Sequence, residues 1–211
     1  GVVLVIGAWN YPLQLTLAGA AAAIAAGNCV VMKPSELAPT VSDVIARRVP
    51  EYLDNDCIKV VEGAVPETTA LLELPWDHIL YTGGGNVGRI VMAAAAKHLT
   101  PVTLELGGKA ANIIFADAAI DQAVEGIING IFFNQGHVCC AGSRLFVQES
   151  VAEQVIRKLK DRMETLIVGD PLDKNTDVGA INSKAQLEKI ESYLDIGKEE
   201  GGDMYQSSCA V

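Results

Sequence analysis

Cys139 stands in the segment Asn134-Gln135-Gly136-His137-Val138-Cys139-Cys140-Ala141-Gly142, polar and punctuated by glycine, directly after an apolar run. A loop of this kind can expose a thiol, and an exposed thiolate is a nucleophile toward carbonyl carbon. Cysteine is also a small hydrophobe, so a buried packing role stands beside the reactive one. His137 is two residues away, but that separation does not establish the hydrogen-bond geometry of a Cys–His pair. His78 and His98 adjoin apolar elements and read as structural. No two sets of Cys/His pairs carry ligand spacing, so no metal site is expected.

A second constellation is Tyr81 to Gly88 (YTGGGNVG), with Gly83, Gly85 and Gly88 in Gly-x-Gly-x-x-Gly order between an expected strand and an expected helix. Free N–H groups and the helix dipole at such a junction can hold a pyrophosphate, although a glycine turn that binds nothing meets the same pattern. A dinucleotide fingerprint would assign an acidic residue about 20 positions further on, here Glu105, to a ribose hydroxyl. Lys33-Pro34-Ser35-Glu36 ends another expected strand. Its ammonium and carboxylate can hydrogen-bond ribose hydroxyls, the carboxylate repelling a 2′-phosphate. An exposed Lys and Glu around a Pro-Ser turn and cap is the plainer alternative.

The elements that must position these residues alternate along the chain. Gly1 to Gly7 is an apolar β-branched run without alternation, as in a strand buried on both faces, and Pro12 to Ala26 follows as an Ala-rich helix. The cycle repeats with Cys29 to Met32 and a helix from about Pro39, Ile58 to Val61 and about Pro66 to Glu73, then Ile79 to Thr82 and Val87 to Lys97. Val102 to Glu105 is a further strand. This order predicts an α/β fold: a Rossmann-like parallel sheet with helices on both faces and ligands at the carboxyl ends of its strands. After Gly108 the rhythm restarts with strand Asn112 to Phe115, helix Ile120 to Phe132, strand Leu145 to Gln148 and helices from about Ala152 to Leu166 and Lys184 to Glu200. Residues 1–108 and 109–211 are therefore read as two domains, the second also α/β.

Composition sets the outer bounds. The 211 residues carry a net charge of −10, which opposes binding to nucleic acid or to an anionic membrane. Leu13 to Ala26 is too short to span a bilayer and reads as a core helix. Five cysteines are an odd number without framework spacing. They predict free thiols and a reducing, cytoplasmic setting, and a mutual disulfide of the adjacent Cys139 and Cys140 would be strained. The sequence opens at Gly1 without an initiator Met and is expected to be a piece of a longer protein.

Taken together, five blocks resemble the NAD(P)-dependent aldehyde dehydrogenase superfamily over nearly the whole chain. They are Trp9-Asn10-Tyr11-Pro12, Lys33-Pro34-Ser35-Glu36, Thr82 to Gly88, Leu104 to Lys109, and Asn134 to Arg144 around Cys139. The first half looks most like the branch acting on fatty and aromatic aldehydes. The resemblance implies oxidation of an aldehyde to a carboxylic acid, with Cys139 as nucleophile, Asn10 and the Cys139 N–H as oxyanion hole, and Glu105 as general base. Glu105 thus belongs to the chemistry, in an apolar neighbourhood supplied by Leu104 and Leu106, and the ribose is left to Lys33 and Glu36. Trp9, Ser35, Gly83, Gly84, Val87, Gly88 and Leu106 are implied as further contacts to the cofactor, NAD with NADP possible.

The chain departs from the family at Gly84, where Ser is common, and at His137, where Gln is common. Family chains are longer and include a later Glu-x-Phe-Gly-Pro block and oligomerisation strands. The resemblance therefore implies a homo-oligomeric parent, and an isolated 211-residue piece that binds cofactor poorly and turns over slowly. Three other readings compete: an acylating relative that passes the thioester to coenzyme A, a nucleotide-binding scaffold without turnover, and a Cys–His hydrolase. Glu105 favours water as the acyl acceptor, and retention of nucleophile and base argues against the scaffold.

Overall fold

The computed structural model describes residues 1–208. The chain divides into two compact units, Gly1–Gly107 and a second from Gly108 onward. In the first, β1 (Val2–Ile6), α1 (Pro12–Ala25), β2 (Cys29–Lys33), α2 (Pro39–Tyr52), β3 (Ile58–Val60), α3 (Val65–Leu72), β4 (His78–Gly83), α4 (Gly85–Ala96) and β5 (Val102–Leu106) alternate as the sequence predicts. All pairings are parallel, in the order β3-β2-β1-β4-β5.

The sheet is buried from both sides because β1 is apolar on both of its faces. Val3 and Val5 point with Val30 and Met32 into a cluster closed by Ala20 of α1 and Ile45 and Val49 of α2. Leu4 and Ile6 point the other way, with Ile79 and Tyr81, against Leu71 and Leu72 of α3 and Val91 and Ala95 of α4. Trp76 anchors this second layer, its indole N–H donating to Leu71 O at 2.7 Å.

One expectation is overturned. Cys29 and Cys57 are joined by a disulfide, with Cα atoms 4.6 Å apart. The pairing Val30↔Ile58 sets the residues that precede each of them, Cys29 and Cys57, side by side, a relation that neither cysteine parity nor linear spacing reveals. Cys139 and Cys140 are free thiols, as expected. Cys209 lies outside the described residues.

The second unit contains β6 (Ala111–Ile114), α5 (Ile120–Phe132), β7 (Arg144–Val147), α6 (Glu149–Met163) and α7 (Lys184–Glu199), with β6 and β7 parallel. Val124, Ile127 and Ile128 of α5 and Val155 of α6 are the buried residues of these helices, and Ala141, ahead of β7, and Leu166, after α6, are buried as well. The contact between these two helices is edged by the pairs Lys158–Asp121 and Arg162–Glu125. Helix α6 starts a turn earlier than the periodicity indicated, because Glu149 supplies an acidic first turn where the apolar pattern has not yet begun. No helix among the described residues is long and apolar enough to cross a membrane.

Candidate active site

Because every strand of the first sheet is parallel, the segments after β1, β2, β3 and β4 emerge on one edge. The order reverses between β1 and β4, and that switch point is where a crevice opens in doubly wound sheets. Trp9 and Asn10 follow β1; Lys33, Ser35 and Glu36 end and follow β2; Gly83 to Gly88 follow β4. Glu105 and Leu106 end β5, paired with Thr82 and Gly83.

Lys33 is only 3% exposed, yet its ammonium is satisfied by Glu36 Oε2 at 2.8 Å and by the Gly63 carbonyl at 2.9 Å. An ammonium has three N–H bonds, so one remains for a ligand. Burial pushes the Glu36 carboxyl up, but the Lys33 hydrogen bond, a backbone N–H and the Lys33 charge together hold it below its ordinary value. The contribution of this pair is complete above the ordinary value of 4.5 and is lost as pH falls through the lower folded-state value. Glu36→Gln is therefore expected to melt below the parent at neutral pH, with the two melting curves converging in acid. A gap that persists or widens below pH 4 would contradict the assignment. Ser35 Oγ is engaged in its own turn, accepting from Leu37 N at 3.3 Å.

At the glycine turn, α4 starts two residues earlier than Val87, so Gly85 and Asn86 add free N–H groups to its first turn. Gly83 and Gly88 both sit at close approaches. A Cβ on Gly83 would strike the Tyr81 hydroxyl, and one on Gly88 would lie 3.0 Å from Leu106 Cδ2. Tyr81 donates to Gly84 O at 3.2 Å. Burial, outweighing that hydrogen bond, pushes the Tyr81 hydroxyl above its ordinary value and keeps it protonated. Gly84 has ordinary extended angles and faces open space. Gly84→Ser is thus expected to fold unchanged, with the melting temperature of the parent.

Glu105 is exposed, because β5 packs Val102 and Leu104, each half-buried, against the core on one face and turns Thr103 and Glu105 to the other. The apolar enclosure that Leu104 and Leu106 suggested is therefore not formed around it. Asn10 lines a groove of about 460 Å³ with Tyr11, Leu13, Leu17 and Val41, which the sequence alone did not reveal.

Cys139 belongs to the second unit. Helix α5 ends at Phe132, and Asn134, Gln135 and Gly136 follow at φ 49°, 55° and 74°, a single left-handed turn. Ala141 N donates to Val138 O at 3.1 Å, which makes Cys139 and Cys140 the two central residues of a hydrogen-bonded turn, both exposed. The loop is tied down by Gly142 N to Gly130 O at 3.0 Å and by Asn112 Nδ2 to Gly142 O at 3.2 Å. Burial lowers the His137 imidazole below its ordinary value, so near neutral pH it is uncharged and adds no cation beside the thiol.

A doubly wound parallel sheet with a glycine turn at its switch point is Rossmann-like architecture, and here it is followed by a smaller α/β unit with an exposed thiol. Comparison with protein families matches residues 1–208 to the Aldehyde dehydrogenase family, and the chain belongs to that family. It is 44% identical over 209 residues to rat "Aldehyde dehydrogenase, dimeric NADP-preferring", covering 99% of this chain and 46% of the relative. Mouse "Aldehyde dehydrogenase family 3 member A2" is 44% identical over 194 residues, covering 92% of this chain and 40% of the relative, which fits the branch resemblance of the first half. Among solved structures, betaine aldehyde dehydrogenase from Staphylococcus aureus in complex with NAD+ aligns with TM-score 0.91 and 38% identity, covering 95% of this chain and 41% of that one. The chain thus spans less than half the length of the relatives it matches.

Proposed function

We propose that the protein to which these residues contribute oxidises an aldehyde to a carboxylic acid with hydride transfer to NAD(P). The exposed Cys139 thiol, held at the centre of a tied-down turn in a chain of this family, is the observation that carries the reading. Residues 1–108 are then the dinucleotide-binding domain and residues 109–211 part of the catalytic domain.

The residues present fit the cofactor. Gly83, Gly84 and Gly88 with the first-turn N–H groups of α4 suit a pyrophosphate, and the spare Lys33 N–H with the Glu36 carboxylate suits a ribose diol. Trp9, Ser35, Val87 and Leu106 border the same edge. When bound, the nicotinamide supplies the hydride acceptor.

The chain's own residues do the rest. The Cys139 thiolate adds to the aldehyde carbon to give a thiohemiacetal, and the oxyanion takes hydrogen bonds from the Asn10 amide and the Cys139 N–H. Oxidation leaves a thioester on Cys139. Glu105, open to solvent, deprotonates the water that releases the acid and restores the thiol. Glu36 opposes a 2′-phosphate, so NAD is the preferred cofactor in this reading and NADP a usable one. The fatty and aromatic substrate class, a homo-oligomeric parent and a cytoplasmic setting, where cellular reductants can open the Cys29–Cys57 bond, complete it.

The test is to supply an aliphatic aldehyde and NAD, with and without coenzyme A, and to identify the products. NADH with free acid is the expected result. Acyl-CoA in place of acid would transfer the final step from water to the thiol, and amide cleavage without any dinucleotide would favour a hydrolase.

A further inference from the structure

Lys33 is held by two acceptors of different kinds. Glu36 is a half-exposed side chain that the ribose reading requires for a sugar hydroxyl, whereas the Gly63 carbonyl is backbone. Once Glu36 turns to the sugar, the ammonium keeps its place only if that carbonyl is itself fixed.

The segment after β3 fixes it. Gly63 lies at φ 139°, where side chains are strained, and the Glu67 side chain packs directly over its α-carbon, in the space that a Cβ would need. Glu67 stands in the first turn of α3 and reaches back so that Oε2 accepts from Ala64 N at 2.8 Å, one half of a capping box. Thr68 closes the same turn, its hydroxyl donating to Ala64 O at 2.8 Å. The Gly63–Ala64 peptide is thus gripped from the helix side by one carboxylate. Hydrogen bonds from backbone N–H groups, with a smaller effect from the charge on Lys33, hold the Glu67 carboxyl below its ordinary value.

We propose that Glu67 is a positioning residue for the dinucleotide ribose: by clamping the Gly63–Ala64 peptide it orients the carbonyl that keeps the Lys33 ammonium in register with the sugar. This rests on the reading of Lys33 and Glu36 as the ribose site. Glu67 touches no ligand in this scheme, and its influence passes entirely through Lys33.

That dependence makes the proposal testable by a double-mutant cycle with NAD as the probe, read by ligand-observed NMR, which reaches weak affinities, alongside thermal melting. Lys33→Met is expected to weaken NAD binding by roughly 10- to 100-fold, the range for a hydrogen bond to a charged group. Glu67→Ala is expected to weaken it by about fivefold in the parent, and not further when combined with Lys33→Met, although both backgrounds melt lower by the same amount. Glu67→Gln, which can still accept from Ala64 N, should recover most of the affinity. An equal loss of affinity from Glu67→Ala in both backgrounds would mean a general structural role and overturn the proposal, as would no loss in the parent. Unchanged NAD binding by Lys33→Met would instead overturn the ribose site itself.

Discussion

Replacing Cys139 by Ala is expected to lower aldehyde-dependent NADH formation by on the order of 10⁴-fold or more, in a polypeptide carrying these residues at the length of the matched relatives. Loss of a covalent nucleophile removes the adduct from which every later step departs, and no neighbouring group can replace it. NAD binding should survive, because the residues assigned to the cofactor belong to the first compact unit and the thiol to the second. Cys140→Ala is the necessary companion. Both thiols are exposed on one turn, so exposure does not choose between them, and only the family register names residue 139. Cys140→Ala should therefore retain activity, and iodoacetamide should still silence it by alkylating a single essential thiol. A dead Cys140→Ala with an active Cys139→Ala would shift the register by one and undo the role given to the Cys139 N–H.

The second large effect concerns stability. Cys29 and Cys57 are 28 positions apart, so their bond closes a substantial loop in the unfolded chain and stabilises the fold by about 3.6 kcal/mol from chain entropy. The location magnifies the consequence. β3 is an edge strand of only three residues, and its far end leads into the Gly63 carbonyl under Lys33. Urea denaturation with and without reductant is expected to show the midpoint falling on reduction. Cys57→Ser should sit at the reduced midpoint and no longer respond. Identical midpoints in both conditions would show that the bond does not form in solution.

The repeating rhythm of strand and helix was legible because each strand is an apolar β-branched run and each helix a different composition. Pro12 and Pro39 marked helix starts to the residue, and Ile120 to Phe132 matched at both ends. Chain edges were harder, since the first turn of α6 is polar and carries no apolar period. Relations across strands were not legible at all. The Cys29–Cys57 bond depends on the β2–β3 register, and the exposure of Glu105 depends on which face of β5 meets the core. Within the candidate site, residue types and order along the chain were readable. The Lys33 contact with Gly63 and the clamp by Glu67 required a backbone carbonyl whose direction no side-chain pattern encodes.

The left-handed turn before Cys139 bears on how this loop tolerates change. Positive φ at Asn134 and Gln135 is disfavoured for L residues, at about 1–2 kcal/mol each, and it is retained because surrounding contacts hold it. With its amide oriented to satisfy its neighbours, Gln135 accepts from Gly179 N at 2.8 Å and donates to Asn134 O at 3.1 Å, so residues 134–136 are latched to a segment more than forty positions downstream. In a randomised library, Asn, Asp and Gly should survive at position 134 and β-branched residues should vanish. A second library at position 179 should lose proline, which has no N–H to donate, and select against bulky side chains, whose Cβ would lie 3.0 Å from the Gln135 amide, so that the nucleophile's loop and a distant glycine drift through sequence space together.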